Sequence, residues 1–289
     1  MIKNCGPADG AALYEYQRKL RTPYFFPVSF ESWRDSMFHD VDGGGRPLFR
    51  WSRTAASFER GQMNGFVQYG RTAFGFDAHG RISAEVSYPV IRALYFDRGC
   101  RAAGRELLQN ALSGLGESDG IYAFYHYFGM SCYARHGKLF EGCSDVRSLL
   151  EEGGFDVRRE NVYYSSEPEP IPETEVQVVW GVRTPGAQQS AELFYDGRCV
   201  GECEVQYVNE SEIVYLRWIY VNRELQNQGI GSECMRGLQR ALQENGMRRL
   251  DTDTTLNNLR AQHYYEKNGF VRRGVTQSFF RPASGKRRI

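Results

Sequence analysis

Val221-Asn222-Arg223-Glu224-Leu225-Gln226-Asn227-Gln228-Gly229-Ile230-Gly231-Ser232 is the stretch that decides how this chain folds. It leaves an apolar, strand-like run at residues 212–221. It enters residues 229–244, where Ile230, Cys234, Leu238, Ala241 and Leu242 fall at offsets of 4, 8, 11 and 12, one face of a helix. Asn245-Gly246 supplies the stop. A strand that runs straight into a helix leaves backbone N–H groups without partners at the junction. Glycines let that main chain approach a ligand closely, and the helix dipole favours an anion, so the turn is suited to a pyrophosphate. No Lys follows the second glycine, which excludes a Walker loop, and the full Rossmann glycine pattern is missing.

Working outward, residues 249–254 read as the next strand and 258–268 as a second helix stopped by Gly269, with Phe270 placed to pack back on it. Strands are expected at 176–182, 191–195 and 199–208, with Asp196-Gly197 as a hairpin signal. Upstream lies Ser165-Ser-Glu-Pro-Glu-Pro-Ile-Pro-Glu-Thr174, where three prolines and three acids in ten residues favour an extended connector. The expected organisation is therefore a domain over 1–165, a linker over 166–175 and a domain over 176–289. In the first, helices are expected at 11–21, 29–39, 101–112 and 144–152, and strands at 65–69, 72–77, 82–96, 121–130 and 157–164. The two halves echo each other. Leu94-Tyr-Phe-Asp and the helix ending at Leu112 correspond to Ile219-Tyr-Val-Asn and the helix ending at Leu242. Gly154-Phe155 likewise corresponds to Gly269-Phe270.

Two motifs carry a resemblance. Gln226-x-x-Gly229-x-Gly231 is followed by Asn258-Leu-Arg-Ala261-Gln-His-Tyr-Tyr265-Glu-Lys-Asn-Gly269-Phe270. In order and spacing they resemble the GNAT family of N-acetyltransferases, which carries (Gln/Arg)-x-x-Gly-x-(Gly/Ala) and then Asn-x-x-Ala-x-x-x-Tyr-x-x-x-Gly-Phe. The resemblance implies an α/β chain of two tandem acyl-CoA N-acyltransferase domains, each a mixed, largely antiparallel twisted sheet flanked by helices. It implies that Gln226, Asn227, Gln228, Gly229, Ile230, Gly231 and Ser232 hold the pyrophosphate of acetyl-CoA. Ile219, Tyr220 and Val221 would pair with the pantetheine arm, with Ile219 or Tyr220 offering an N–H to the thioester oxygen. Asn258 would touch the cosubstrate from the next helix. Tyr265 falls on the family's tyrosine, a catalytic phenol that protonates the departing thiolate; Tyr264 would point elsewhere. The proton acceptor stays open among Glu202, Glu204, Glu212 and Tyr215. Arg223, Arg236 and Arg260 stay open between contact with the 3′-phosphate and a solvated helix face.

In the first half, Asp97-Arg-Gly-Cys-Arg-Ala-Ala-Gly104 fits no such frame, and no Asn-x-x-Ala-x-x-x-Tyr lies in residues 144–155, which suggests a degenerate copy. Tyr122-Ala-Phe-Tyr-His-Tyr-Phe128 reads as sheet core, with His126 a packed histidine.

Composition narrows the partners. Lys plus Arg number 36 against 35 Asp plus Glu, a net charge of +1 that gives no long-range field for nucleic acid or an anionic membrane, so neither is expected as a partner. Seven cysteines, an odd number with no C-x-x-C, indicate reduced thiols rather than a disulfide framework, and no metal site is expected. Cys199 and Cys203, four apart, are expected on one face of a strand. No run approaches the roughly 20 apolar residues of a membrane span, and the first ten residues lack an apolar signal core, so a soluble, cytoplasmic protein is expected. The expected activity is transfer of acetyl from acetyl-CoA, without a metal, to the primary amine of a small molecule. Acetylation of a protein lysine or N-terminus is the enzymatic alternative, and a non-catalytic coenzyme A-binding module the other. Nothing in the sequence fixes the oligomeric state.

Overall fold

Each half of the chain is built round one β-helix-β crossover. A computed structural model describes residues 1–116, 118, 120–167, 171–184, 187–208 and 211–283. In chain order the elements are β1 (Ile2–Cys5), α1 (Gly10–Gln17), α2 (Phe30–Phe38), β2 (Phe49–Glu59), β3 (Gln62–Thr72), β4 (Gly75–Phe76), β5 (Ile82–Ser83), β6 (Pro89–Phe96), α3 (Arg101–Leu115), β7 (Gly120–Ala123), β8 (Leu139–Phe140), α4 (Ser144–Glu152) and β9 (Asp156–Ser166). There follow β10 (Gln177–Trp180), β11 (Gln188–Tyr195), β12 (Arg198–Tyr207), β13 (Ile213–Val221), α5 (Ile230–Glu244), β14 (Arg249–Thr255), α6 (Leu259–Lys267) and β15 (Val271–Pro282).

The chain divides into two units. The first comprises Met1–Asp42, Arg46–Glu160 and Thr276–Ile289; the second Gly43–Gly45 and Asn161–Val275. In the first unit the strand order is β1-β2-β3-β6-β7-β15, all antiparallel except β6 with β7, which α3 connects. In the second the order is β9-β14-β13-β12-β11-β10, antiparallel except β13 with β14, which α5 connects. Parallel neighbours need a crossover, and a helix supplies it in each case. The first unit thus takes the end of β15, and the second takes residues 161–166 of β9. Of the connector expected at 166–175, residues 168–170 lie outside the described residues, as do 284–289 of the tail. Val176 packs into the core of the second unit and against Gly237 of α5.

That core is Leu193, Cys203, Val205, Val214 and Leu216 of the sheet under Cys234, Met235, Leu238 and Leu242 of α5, closed by Tyr265 and Phe270. Each fully buried Leu or Val there contributes about 1.5–3 kcal/mol. The Asp196-Gly197 hairpin forms as the sequence predicts, both residues at positive φ (49° and 70°), the conformation a two-residue turn needs.

One strand lacks a sequence signal, and two expectations are corrected. Strand β2 carries no alternating signal because its buried stretch is Thr54, Ala55, Ala56 and Ser57, small and partly polar. The strand expected over 121–130 stops at Ala123, where Phe124 takes φ +53°. Beyond it the chain makes a single helical turn at His126–Phe128 instead of continuing the sheet: Phe124 and Phe128 are buried, the latter with Leu48 and Phe74, Tyr125 is half-buried and stacks at 4.3 Å on Tyr122 of β7, and Tyr127 is exposed. Cys199 and Cys203 do not share a face. Leu193 pairs with Gly201 but Phe194 with Cys199, so Val200 is an extra residue, and this bulge turns Cys199 outward while Cys203 stays buried. All seven cysteines are unpaired thiols. No helix among the described residues is long and apolar enough to cross a membrane.

Candidate active site

Strands β13 and β14 run in register from Ile213 with Arg249 to Leu216 with Thr252 and then part, although β13 continues to Val221 and β14 to Thr255. A bulge lies at the fork: Val205 pairs with Leu216 and Glu204 with Trp218, leaving Arg217 over. A bulge bends its strand and increases the twist, and here it accompanies the separation of β13 from its neighbour. The result is an open strand edge over residues 217–221, leading into the turn before α5.

In that turn Gln226 bonds from Nε2 to the Val221 carbonyl at 2.7 Å, and its Oε1 accepts from Arg260 at 2.8 Å. Gln228 folds back onto the Glu224 carbonyl at 2.6 Å. Asn227 (φ +63°) and Gly229 (φ +88°) are left-handed, which curls the main chain round. Gly229 is the N-cap of α5 and carries no side-chain cap. Ser232 and Glu233 donate back to its carbonyl, so the N–H groups of Gly229, Ile230 and Gly231 come before the first intrahelical donor. A Cβ added at Gly229 meets nothing within 4 Å.

These groups open on one cleft of about 530 Å³. Ile219, Val221, Gln226, Asn227, Gly229, Gly231, Ser232, Asn258 and Tyr265 all line it. Tyr220 does not: it is 47% exposed, and strand alternation sends it to the other face from Ile219 and Val221. Ile230 packs its side chain against the core, and Gln228 is tied within the loop, so both offer the cleft main chain only. Asn258 is the N-cap of α6, its Oδ1 accepting from Ala261 N at 3.1 Å. Arg260, His263 and Lys267 also line the cleft; sequence reading left Arg260 open and passed over the other two, although their spacing of three and four places them together on α6.

Tyr265 is 7% exposed and set among Tyr164, Tyr264 and Phe270 at 5.3–5.8 Å between ring centres. Burial pushes its phenol above the ordinary range, and a hydrogen bond with Thr252 pulls it partly back. Tyr264, expected to point elsewhere, lines the same cleft and donates to the Gly231 carbonyl at 2.7 Å.

Of the four acid–base candidates read from sequence, Glu204 is bound to Arg217 at 2.7 Å, and Glu212 is exposed and paired with Arg248 at 3.2 Å. Glu202 is exposed and lies opposite Tyr220. Tyr215 is buried, hydrogen-bonded to Asp253, and held well above the ordinary phenol range, first by that burial. Asp253 itself was missed. Among the described residues no group of three or more His, Cys, Asp and Glu is arranged to hold a metal ion.

The first unit has the same fork without the cradle. Strand pairing of β6 with β7 covers Val90 and Ile91 only, and Arg92 is the bulged residue, since Gln68 pairs with Ala93 but Tyr69 with Ile91. The internal repeat thus extends two residues further than the Leu94 and Ile219 motifs, Arg92 matching Arg217. Arg92 is buried, ion-paired with Asp40, and donates to the carbonyls of Ser36, Phe128 and Gly129 at 2.8–2.9 Å. The turn before α3 closes on itself, Cys100 N to Asp97 O at 2.9 Å, and Asp97 Oδ1 accepts from Tyr16 at 3.0 Å. The ring of Phe96 covers Gly104.

Compared with known protein families, residues 156–270 match the acetyltransferase (GNAT) family. No curated protein matches the chain in sequence. Among solved structures it is similar to a tandem GNAT protein from the clavulanic acid biosynthesis pathway, at 10% identity and a TM-score of 0.65, over 99% of both chains. It is also similar to a GCN5-related N-acetyltransferase from Sphaerobacter thermophilus, at 12% identity and a TM-score of 0.58, over 98% of this chain and 95% of that one. A third similar structure is a GCN5-related glucosamine N-acetyltransferase region of a fungal multi-domain β-N-acetylglucosaminidase, at 10% identity and a TM-score of 0.65. That likeness covers 97% of this chain, which spans 38% of the fungal chain. At such identities the likeness is one of fold.

Proposed function

We propose, on the premise that residues 156–270 form an acetyltransferase (GNAT) domain within a tandem GNAT fold, that this protein moves the acetyl group of acetyl-CoA to the primary amine of a small molecule. The observation that carries the proposal is Gly229. It is left-handed, uncapped and open above its Cα, in the wall of a cleft that also holds a free strand edge and a buried tyrosine. A side chain there would fill the space that a diphosphate needs.

Acetyl-CoA brings an activated carbonyl; the chain does the rest. The N–H groups of Gly229, Ile230 and Gly231 bind the diphosphate with the helix dipole behind them. Gln226, pinned by Val221 and Arg260, holds the turn in shape. The open edge at residues 217–221 hydrogen-bonds the amide-bearing arm and aligns the thioester, so that positioning supplies much of the rate. Asn258 uses its carbonyl for capping and keeps its amide N–H groups for the ligand. Tyr265, kept protonated by burial, gives its proton to the leaving sulfur. Residues 176–275, together with the strand segment 161–166, form the catalytic half in this assignment, and the first unit, which takes the end of β15 and lacks the cradle, is a copy that no longer binds the donor. A cytoplasmic setting suits seven unpaired thiols.

The test is thiol release from acetyl-CoA with ethanolamine, putrescine, glucosamine, free amino acids and lysine peptides as acceptors. Turnover on a small amine, lost in Tyr265→Phe, is the expected result. Turnover confined to peptides would move the acceptor class to proteins, and binding of coenzyme A without turnover on any acceptor would contradict the enzymatic assignment.

A further inference from the structure

Amine acetylation, as proposed above, leaves a surplus proton on the nitrogen. Whatever takes it must lie where the amine enters, on the far side of the fork from the sulfur. Thr252 and Tyr265 are hydrogen-bonded and lie on the side of α6. Asp253 follows Thr252 on β14 and so points the opposite way. The register agrees: Asp253 pairs with Tyr163 and Asp251 with Tyr215, and paired residues share a face, on which Tyr163 also donates to Asp251 at 2.6 Å. Asp253 is the first residue of β14 beyond the fork, half-buried, and accepts a hydrogen bond from Tyr215.

We infer that Asp253, oriented by Tyr215, is the proton acceptor for the amine. The attacking nitrogen forms its bond to the thioester carbonyl carbon and passes one proton to the Asp253 carboxylate. The carbon–sulfur bond breaks with its electron pair on sulfur, which takes the Tyr265 proton. The proton on Asp253 then returns through solvent to the Tyr265 phenolate, so that amide and free thiol leave with the protein unchanged. The groups facing Asp253 are Tyr163 on β9, Asp251 and Arg249 on its own strand, and Tyr215 and the Glu204-bound Arg217 on β13; Tyr265 on α6 feels its charge from the opposite face of the strand. Because Tyr215 donates to the carboxylate, its removal disfavours the charged form.

The inference rests on acetyl transfer being the activity, and the experiment separates the two. Asp253→Asn, Tyr215→Phe and Glu202→Gln are compared with the wild type, using acetyl-CoA and the fastest small amine of the panel. Asp253→Asn is expected to keep coenzyme A affinity within about threefold by calorimetry, to lower kcat about 10²–10⁴-fold and to lose the acid limb of the kcat/KM profile. Tyr215→Phe is expected to move that limb up by about one pH unit while keeping the plateau. The Asp253 carboxyl carbon resonance of the ligand-free protein should show the same shift. Glu202→Gln is expected to change neither. Wild-type turnover with an undiminished Asp253→Asn, or an acid limb that disappears in Glu202→Gln instead, overturns the assignment of Asp253 alone. A wild type inert towards every amine sinks it together with the activity. If Asp253→Asn does not fold, the presence or absence of the shift in Tyr215→Phe decides.

Discussion

The Tyr264 hydroxyl donates to the Gly231 carbonyl at 2.7 Å and fastens the first turn of α5 to α6. A Cβ on Gly231 would lie 3.3 Å from the Tyr264 ring, whereas one on Gly229 would meet nothing. The two glycines of the motif therefore do different work: Gly231 lets two helices close up, and Gly229 leaves room for a ligand. Tyr264→Phe should lower stability by about 1 kcal/mol, the usual worth of one such hydrogen bond, and weaken coenzyme A binding severalfold, with kcat at saturating donor unchanged. Urea unfolding and calorimetry together check this.

Tyr265→Phe should behave in the opposite way, sparing affinity and striking the chemical step. Loss of a positioned acid is expected to lower kcat about 10²-fold. Since burial raises the phenol above its ordinary value of 10.0, it stays protonated through neutral pH, and the alkaline limb of the wild-type profile should appear only in strongly alkaline solution. A pH profile of thiol release, wild type against variant, checks both.

The passage from β13 through the turn to α5, β14 and α6 was legible because the apolar period changes there from two to about 3.6, and because Asn245-Gly246 and Gly269 punctuate it. The same stretch led to nine of the fourteen residues that line the cleft. Two bulges were not legible. Nothing in composition announces that Val200 or Arg217 is an extra residue, yet each changes which way its neighbours face. Tyr220 was taken with Ile219 and Val221 as a block, although a strand shows only alternate residues to one side. Asp253 escaped notice because Asp-Thr-Asp-Thr-Thr reads as an ordinary polar strand until the fork gives one of its carboxylates a position.

Arg92 and Arg217 hold the same bulge position in the two units but in different surroundings. The Arg92–Asp40 pair is 3% and 2% exposed, the Arg217–Glu204 pair 26% and 28%. Arg92→Met should strand a buried carboxylate and destabilise the protein by about 3–5 kcal/mol. Arg217→Met should cost about 0–1 kcal/mol, as partly solvated pairs do. Denaturant titration of both variants measures the contrast.

Burial pushes the thiols of Cys132, Cys203 and Cys234 up to about 12 from an ordinary 9.0. A group whose value is raised on folding contributes stability that is fully present below its unfolded value and lost as the pH climbs through the folded one. The unfolding free energy should therefore hold steady up to about pH 9 and fall from there towards about pH 12. At pH 8 a chromogenic disulfide should label exposed Cys199 quickly and reach those three only on unfolding.

Titration calorimetry of coenzyme A into the wild type and into Gly229→Glu tests most directly whether main-chain amides at the head of α5 grip the diphosphate. The wild type should bind with measurable heat. The variant should retain its circular dichroism and a cooperative melt while its affinity drops by about a hundredfold or more, as bulk and negative charge fill the anion site. A wild type that takes up no coenzyme A, or a folded Gly229→Glu that binds it as tightly as the wild type, would contradict the cradle.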